Sequence, residues 1–294
     1  MWYHSLKTRQ VVKRVNTRNS HGSVVAFEYL DKKFEVHSLS KDASPLTFED
    51  ITSIVFIMAP ESSLIVIAIN LSTKGKFTYE FRAWEFTNNG VFIQQDIAVM
   101  DALGSCMNDG KSKALWSAPD ISNPYSIRAD ALGNVLAAAL GVRSIYIWKC
   151  LKVEHNCISC EFIVQVDSSM SAIDLILLQP SKDNLPYLVV GECGGIRTWT
   201  ETDRTDERGE TLKFEDTFYS VQSFDASSSL FTCHDFQRIN KDACIFGNTA
   251  GNLYLFLSSR IINLKLPVSY SGHGSFAVEN IEDKSSKALH IATV

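Results

Sequence analysis

The chain has no run of about 18 apolar residues, so no part of it is built to cross a bilayer as a helix. Its first stretch, Met1 to Arg18, is polar and lacks the apolar centre of a secretory leader. Sustained helical periodicity is missing throughout, which steers the reading away from helical folds. Catalytic signatures are missing too: there is no Gly-x-Ser-x-Gly elbow and no His-Glu-x-x-His. Gly247-Asn-Thr-Ala-Gly251 lacks the lysine and the following helix that a phosphate loop needs. Positive charge is scarce: 28 Lys and Arg against 33 Asp and Glu leave a formal charge of −5. That balance argues against a general nucleic-acid surface and against membrane binding.

The 7 cysteines cannot all pair. They are Cys106, Cys150, Cys157, Cys160, Cys193, Cys233 and Cys244, scattered through apolar runs. An odd count without a leader points to a reducing compartment, the nucleus or the cytoplasm. Cys193 and Cys244 fall inside strand-like segments, where a thiol behaves as a small hydrophobe.

What is present is a recurring pair of strands. With 45% hydrophobic and 21% charged residues the chain has enough apolar sequence for a core. A short apolar run is followed by a turn holding Gly or Asn, then by a second run ending on an aromatic. Asn134-Val-Leu-Ala-Ala-Ala-Leu-Gly141 precedes Ser144-Ile-Tyr-Ile-Trp148, and Tyr187-Leu-Val-Val-Gly191 precedes Ile196-Arg-Thr-Trp199. Ala243-Cys-Ile-Phe-Gly247 precedes Leu253-Tyr-Leu-Phe256, and a looser copy joins Leu64–Asn70 to Tyr79–Trp84. Each pair reads as a β-hairpin whose first strand is buried on both faces and whose second alternates. Glycine suits the turn because a tight hairpin needs positive φ. Flanking runs such as Ser171–Leu178, Phe162–Val166 and Ile261–Leu266 bring each unit to four strands.

Phe27, Trp84, Trp148, Trp199 and Phe256 lie 57, 64, 51 and 57 residues apart. WD-type repeats run about 40–45 residues and kelch repeats about 50, so these units carry extended loops, with Asp101–Ser122 and the charged run Thr202–Thr211 as candidates. Lys287–Val294 matches the first strand of a hairpin, while Ser23–Tyr29 and Lys33–Leu39 match the later strands. Joined, the two termini would share one blade and leave no open edge; the competing reading is a chain cut within its last blade. The expected fold is all-β: a propeller of about five to seven four-stranded blades over residues 21–294, behind a basic tail at 1–20.

These hairpins resemble WD40 propeller repeats from about residue 23 onward. Val190-Gly-Glu-Cys-Gly-Gly-Ile-Arg-Thr-Trp199 is similar to the family's signature strand, turn and terminal Trp, and Ser144-Ile-Tyr-Ile-Trp148 to its Ile-Trp ending. The family's Asp after the Trp is replaced here by Glu85, Lys149 and Thr200, and the Gly-His pair occurs once, at Gly272-His273. The Asp–His–Ser/Thr–Trp hydrogen-bond network of regular repeats is therefore not assigned. The resemblance implies a rigid platform that binds other proteins or peptides.

Candidate chemistry is sparse. Cys150, His155, Cys157 and Cys160 supply thiolates and an imidazole of the kind tetrahedral zinc takes. No second ligand pair follows, however, and Cys157 and Cys160 would diverge on a strand; ordinary core or loop cysteines are the preferred reading, with no metal and no cofactor. Cys193 between small residues resembles a nucleophile only superficially, since a strand-turn position accounts for the same residues. Cys233-His234-Asp235 are adjacent, but strand neighbours point to opposite faces. Lys7, Arg9, Lys13, Arg14 and Arg18 precede the first acidic residue, Glu28, and form either a solvated tail or a basic arm for nucleic acid or nuclear import. Trp2, Tyr3, Trp116, Phe218 and Tyr219 fall in segments read as tails or loops, and are the candidates for partner binding. The expected function is a non-catalytic protein-interaction scaffold in a larger intracellular assembly. The alternatives are a nucleic-acid- or chromatin-associated subunit using the basic arm, and a zinc or enzymatic protein using the Cys150–Cys160 cluster.

Overall fold

Strands make up the regular structure. The computed structural model describes residues 3–4, 11–12, 25–30, 33–38, 46–49, 53–58, 64–72, 78–86, 92–103, 114–116, 128–140, 143–153, 157–168, 174–179, 185–202, 214–221, 232–264, 276–283 and 286–293, and no helix occurs among the described residues. The fold is all-β. It divides into two compact units, Met1–Gln165 and Val166–Val294.

In the first unit β1 (Tyr3–His4) pairs with β2 (Val11–Val12), and β3 (Val25–Leu30), β4 (Lys33–Ser38) and β5 (Leu46–Glu49) form an antiparallel meander. A second meander comprises β6 (Ser53–Met58), β7 (Leu64–Ser72), β8 (Thr78–Phe86) and β9 (Phe92–Val99). The short β10 (Ala114–Trp116) pairs with Tyr79–Phe81 of β8, on the stretch that β9 leaves open. A third meander holds β11 (Arg128–Leu132), β12 (Val135–Ala139), β13 (Ser144–Val153) and β14 (Cys157–Asp167). Its last strand runs parallel to β9, Cys157 opposite Asp96 and Cys160 opposite Val99, so the two meanders join into one sheet of nine strands. Its two ends, β6 and β11, lie alongside each other, and the sheet is curled.

The second unit begins with β15 (Asp174–Leu178), β16 (Tyr187–Glu192), β17 (Gly195–Glu201) and β18 (Phe214–Ser220), an antiparallel sheet of four. Another sheet of four follows, β19 (Cys233–Asn240), β20 (Ala243–Asn248), β21 (Leu253–Leu257) and β22 (Arg260–Asn263). Finally β23 (Phe276–Asp283) pairs with β24 (Ser286–Thr293). β15 and β19 are tied directly: the Phe236 amide donates to Asp174 Oδ2 at 3.0 Å and Arg238 Nε donates to the Leu177 carbonyl at 3.1 Å. The Asp174 contact falls where β19 is bulged between His234 and Gln237, which frees the Phe236 amide from the ladder.

The hairpins form where apolar sequence is densest. Every residue of β12 and of β20 is buried, which is why neither strand alternates. In the first unit Ile67, Phe81, Ile97, Leu136 and Trp148 share one core. Trp148 stacks on Tyr146 at 5.8 Å, meets the edge of Phe81 at 5.9 Å, and donates its indole N–H to the Met100 carbonyl at 3.0 Å. Aromatic pairs of this kind add about 0.5–1.5 kcal/mol each beyond the area they bury. In the second unit the sheets β15–β18 and β19–β22 face each other through Ile196, Val189, Phe236, Phe246 and Phe256.

Candidate functional site

The sheet β15–β18 presents a well-defined polar cluster among the described residues. Pairing sets Arg197 of β17 opposite Phe218 of β18, and Glu192 of β16 opposite Gly195. Residues opposite or diagonal on neighbouring strands share a face and lie within reach of long side chains. Arg197 uses that reach fully. Its Nε donates to both oxygens of Glu192, at 3.1 and 3.2 Å, and its Nη1 pairs with Asp216. Its guanidinium carbon stands 5.2 Å from the centre of the Phe218 ring, in the range of a cation–π contact.

Burial runs steeply across this cluster. The Glu192 side chain is 1% exposed, that of Arg197 19% and that of Asp216 50%. A buried carboxylate costs several kcal/mol unless it is paired and hydrogen-bonded. Here the Ser168 hydroxyl donates to Glu192 Oε1 at 2.5 Å and Arg197 supplies the counter-charge. Burial by itself pulls the Arg197 pKa down, but the hydrogen bonds and charges of Glu192 and Asp216 outweigh it and leave the pKa above its ordinary value. The guanidinium is thereby fixed in one plane beneath a Phe218 ring that stays 42% exposed. The surface thus sets a part-exposed ring beside a partly exposed guanidinium.

The glycine-flanked segment beside it is explained by packing. A β-carbon on Gly191 would fall 2.0 Å from the Cys233 carbonyl oxygen, so β16 approaches β19 at a point where no side chain fits. Gly194 makes the turn into β17 with φ of 78°. Cys193 pairs as an isolated bridge with Thr232. Burial, with a smaller contribution from Cys193, pushes the Cys233 thiol up to about 12, so at neutral pH it is protonated and poorly nucleophilic.

Strand alternation separates Phe218 from Tyr219, and neither is in a loop: both belong to β18. Tyr219 turns to the core and meets Phe256 edge-on at 5.5 Å, which makes it an anchor, whereas Phe218 faces the Arg197 side. Trp116 lies in β10 opposite Tyr79, again a strand where a loop was expected, and Tyr3 sits in β1 opposite Val12. Trp2, Lys7, Arg9, Lys13, Arg14 and Arg18 fall outside the described residues.

Cys150 and Cys160, on the neighbouring strands β13 and β14, come together with their sulfurs 2.9 Å apart. Cys157, three residues from Cys160 on β14, belongs to the opposite face and is half-buried where Cys160 is buried. His155 lies outside the described residues, and among the described residues no group of three or more His, Cys, Asp or Glu could hold a metal ion.

Sequence reading missed Ser168, Glu192, Arg197 and Asp216. One signal was present for two of them: opposite charges flanking a Cys-Gly turn, which hairpin pairing brings onto one face. No protein-family model matches the chain, and comparison with curated proteins gives no match.

Proposed function

We propose that the chain is a WD40-like β-propeller acting as a non-catalytic platform for other proteins or peptides within a nuclear or cytoplasmic assembly. One observation carries the architecture. Four antiparallel meanders of four strands follow one another along the chain: β6–β9 and β11–β14, joined through β9 and β14, then the separate sheets β15–β18 and β19–β22. Within each unit the first strands of successive meanders lie together, β6 with β11 in one, β15 with β19 and β19 with β23 in the other. A ring of first strands around a channel is the arrangement that radial repetition of blades produces. On this reading β23 opens a further blade and β3–β5 belong to another, within the range of five to seven.

Binding is assigned to the face of β17 and β18 that carries Arg197, Asp216 and Phe218. Exposed aromatic and arginine side chains dominate binding energy at protein interfaces, and this pair is already held in position. The test is capture of a tagged chain from its own cell extract, with quantitative mass spectrometry of what accompanies it. The expected outcome is a stoichiometric set of proteins that survives nuclease and moderate salt and falls at least about five-fold with Phe218→Ala. Loss of the set on nuclease treatment would move the reading to the basic arm at Lys7–Arg18. An unchanged set with folded Phe218→Ala would remove this face, and substrate turnover by the purified chain would remove the platform reading.

A further inference from the structure

We propose that Cys150 and Cys160 form a thiol pair that closes to a cross-strand disulfide by exchange with a low-molecular-weight disulfide such as oxidised glutathione. The two sulfurs stand 2.9 Å apart, and a disulfide bond is about 2.05 Å, so closure needs less movement than a side-chain rotation supplies. The backbone around each is already fixed. The Cys150 amide donates to the Asn134 carbonyl at 2.7 Å, and the Cys160 carbonyl accepts from the Met100 amide at 3.0 Å. Both side chains belong to the core shared by Trp148, Ile158 and Leu136, with Cys150 1% and Cys160 0% exposed. No other thiol competes from β13 or β14, because Cys157 belongs to the far face of β14.

The exchange balances without a further reactant. The thiolate of one cysteine attacks a sulfur of the glutathione disulfide, forming a mixed disulfide and releasing one glutathione thiolate. The second cysteine then attacks the protein sulfur of that mixed disulfide and releases the second glutathione. Both cysteine thiols end oxidised as one S–S bond, and the oxidant ends as two glutathione thiols that carry the two protons. Burial, with the neighbouring Cys160 thiol, pushes the Cys150 pKa well up, which keeps the thiolate rare while the strands are closed. Exchange therefore runs through opening of the β13–β14 hairpin and is slow in both directions. The pair stays reduced where glutathione is strongly reducing and locks the hairpin when the ratio turns oxidising.

A fold that favours the linked pair is stabilised by the link to the same extent, so the glutathione ratio at half-linkage reads the geometry directly. The wild-type chain is equilibrated with glutathione mixtures in buffer and in denaturing urea, quenched, alkylated and mapped by mass spectrometry. The expected result is a 150–160 link whose half-point in the folded chain lies at a [GSH]²/[GSSG] at least ten-fold higher than in urea. Cys157→Ser, at a half-buried site, is expected to keep the link and Cys160→Ser to abolish it. Equal half-points in buffer and urea would overturn the proposal. So would a dominant link from Cys150 to any other cysteine, or loss of the link in folded Cys157→Ser.

Discussion

Arg197 reaches back across the Cys193–Gly194 turn and holds the Glu192 carboxylate, with its Nε 3.1 and 3.2 Å from the two oxygens. The carboxylate is buried and the guanidinium only partly so, and this asymmetry decides what a substitution does. Removing the cation leaves a buried charge short of its counter-ion, a far larger cost than losing an exposed ion pair. Arg197→Met is expected to cost about 2–3 kcal/mol in urea unfolding, below the range for a fully buried pair because water reaches the guanidinium. Glu192→Gln in the same chain should restore part of it. A double-mutant coupling below about 0.5 kcal/mol would show that the pair is not what keeps Glu192 buried.

Gly191 gives a sharper expectation because its neighbour is backbone. A methyl group there would meet the Cys233 oxygen at 2.0 Å and the Phe236 ring at 3.0 Å. The ring can turn, but the carbonyl belongs to β19 and can withdraw only if the two strands part. Gly191→Ala is expected to destabilise the chain by about 3 kcal/mol or more, at the upper end of overpacking costs. A melting temperature within about 2 °C of wild type would mean that β16 and β19 are not held this closely.

The hairpins were legible because their signal is local. Val135–Ala139 and Ser144–Trp148, or Tyr187–Gly191 and Ile196–Trp199, each combine an apolar run, a turn and a second run, and the strands form where those residues predict. β18 was not legible. Its sequence, Phe-Glu-Asp-Thr-Phe-Tyr-Ser, has the polarity of a loop because most of an edge strand faces water. The parallel pairing of β14 with β9 was equally hidden, since strands some 60 residues apart leave no local mark of their partnership. The same limit governs the sites. Strand alternation already set Cys157 apart from Cys160 in the sequence, but only the approach of β13 and β14 shows that Cys150 and Cys160 face each other. Glu192 and Arg197 carry no mark of partnership in the sequence, and the hairpin register is what puts them on one face.

Several buried groups share a direction of shift, and it sets the response to alkali. Burial raises the pKa of Cys233 from 9.0 to about 12, and raises those of Cys150, Tyr187 and Tyr254 as well. Charge from Cys244, Tyr219 and Asp242 adds to burial at Tyr187, while at Tyr254 a hydrogen bond with Asn248 works against it. The folded chain thus keeps protons that the unfolded chain releases. The contribution to stability is fully present below about pH 9 and is lost as pH climbs towards 12. Unfolding free energy is expected to fall with pH across that window, less steeply in Cys233→Ala. Tyrosinate absorbance from Tyr187 and Tyr254 should appear together with loss of the circular-dichroism signal. Tyrosinate that accumulates fully while the chain stays folded would show these phenols to be accessible.

The turn between β21 and β22 stores strain that can be relieved. Leu257 pairs with Arg260, leaving Ser258 and Ser259 as a two-residue loop with φ of 48° and 60°. Positive φ at both positions is the geometry of a type I′ turn, which favours Asn followed by Gly because other side chains crowd the backbone there. Serine tolerates the conformation only at a cost, and here two serines occur in succession. The substituted loop needs no new contact, since Leu257, Ser258, Ser259 and Arg260 are all exposed. Ser258→Asn with Ser259→Gly is therefore expected to stabilise the chain by about 0.5–1 kcal/mol, the range seen when a residue is matched to its backbone conformation. The gain should appear as a higher urea midpoint at unchanged slope. A lower midpoint would mean that the serine hydroxyls contribute more to this turn than its backbone geometry costs.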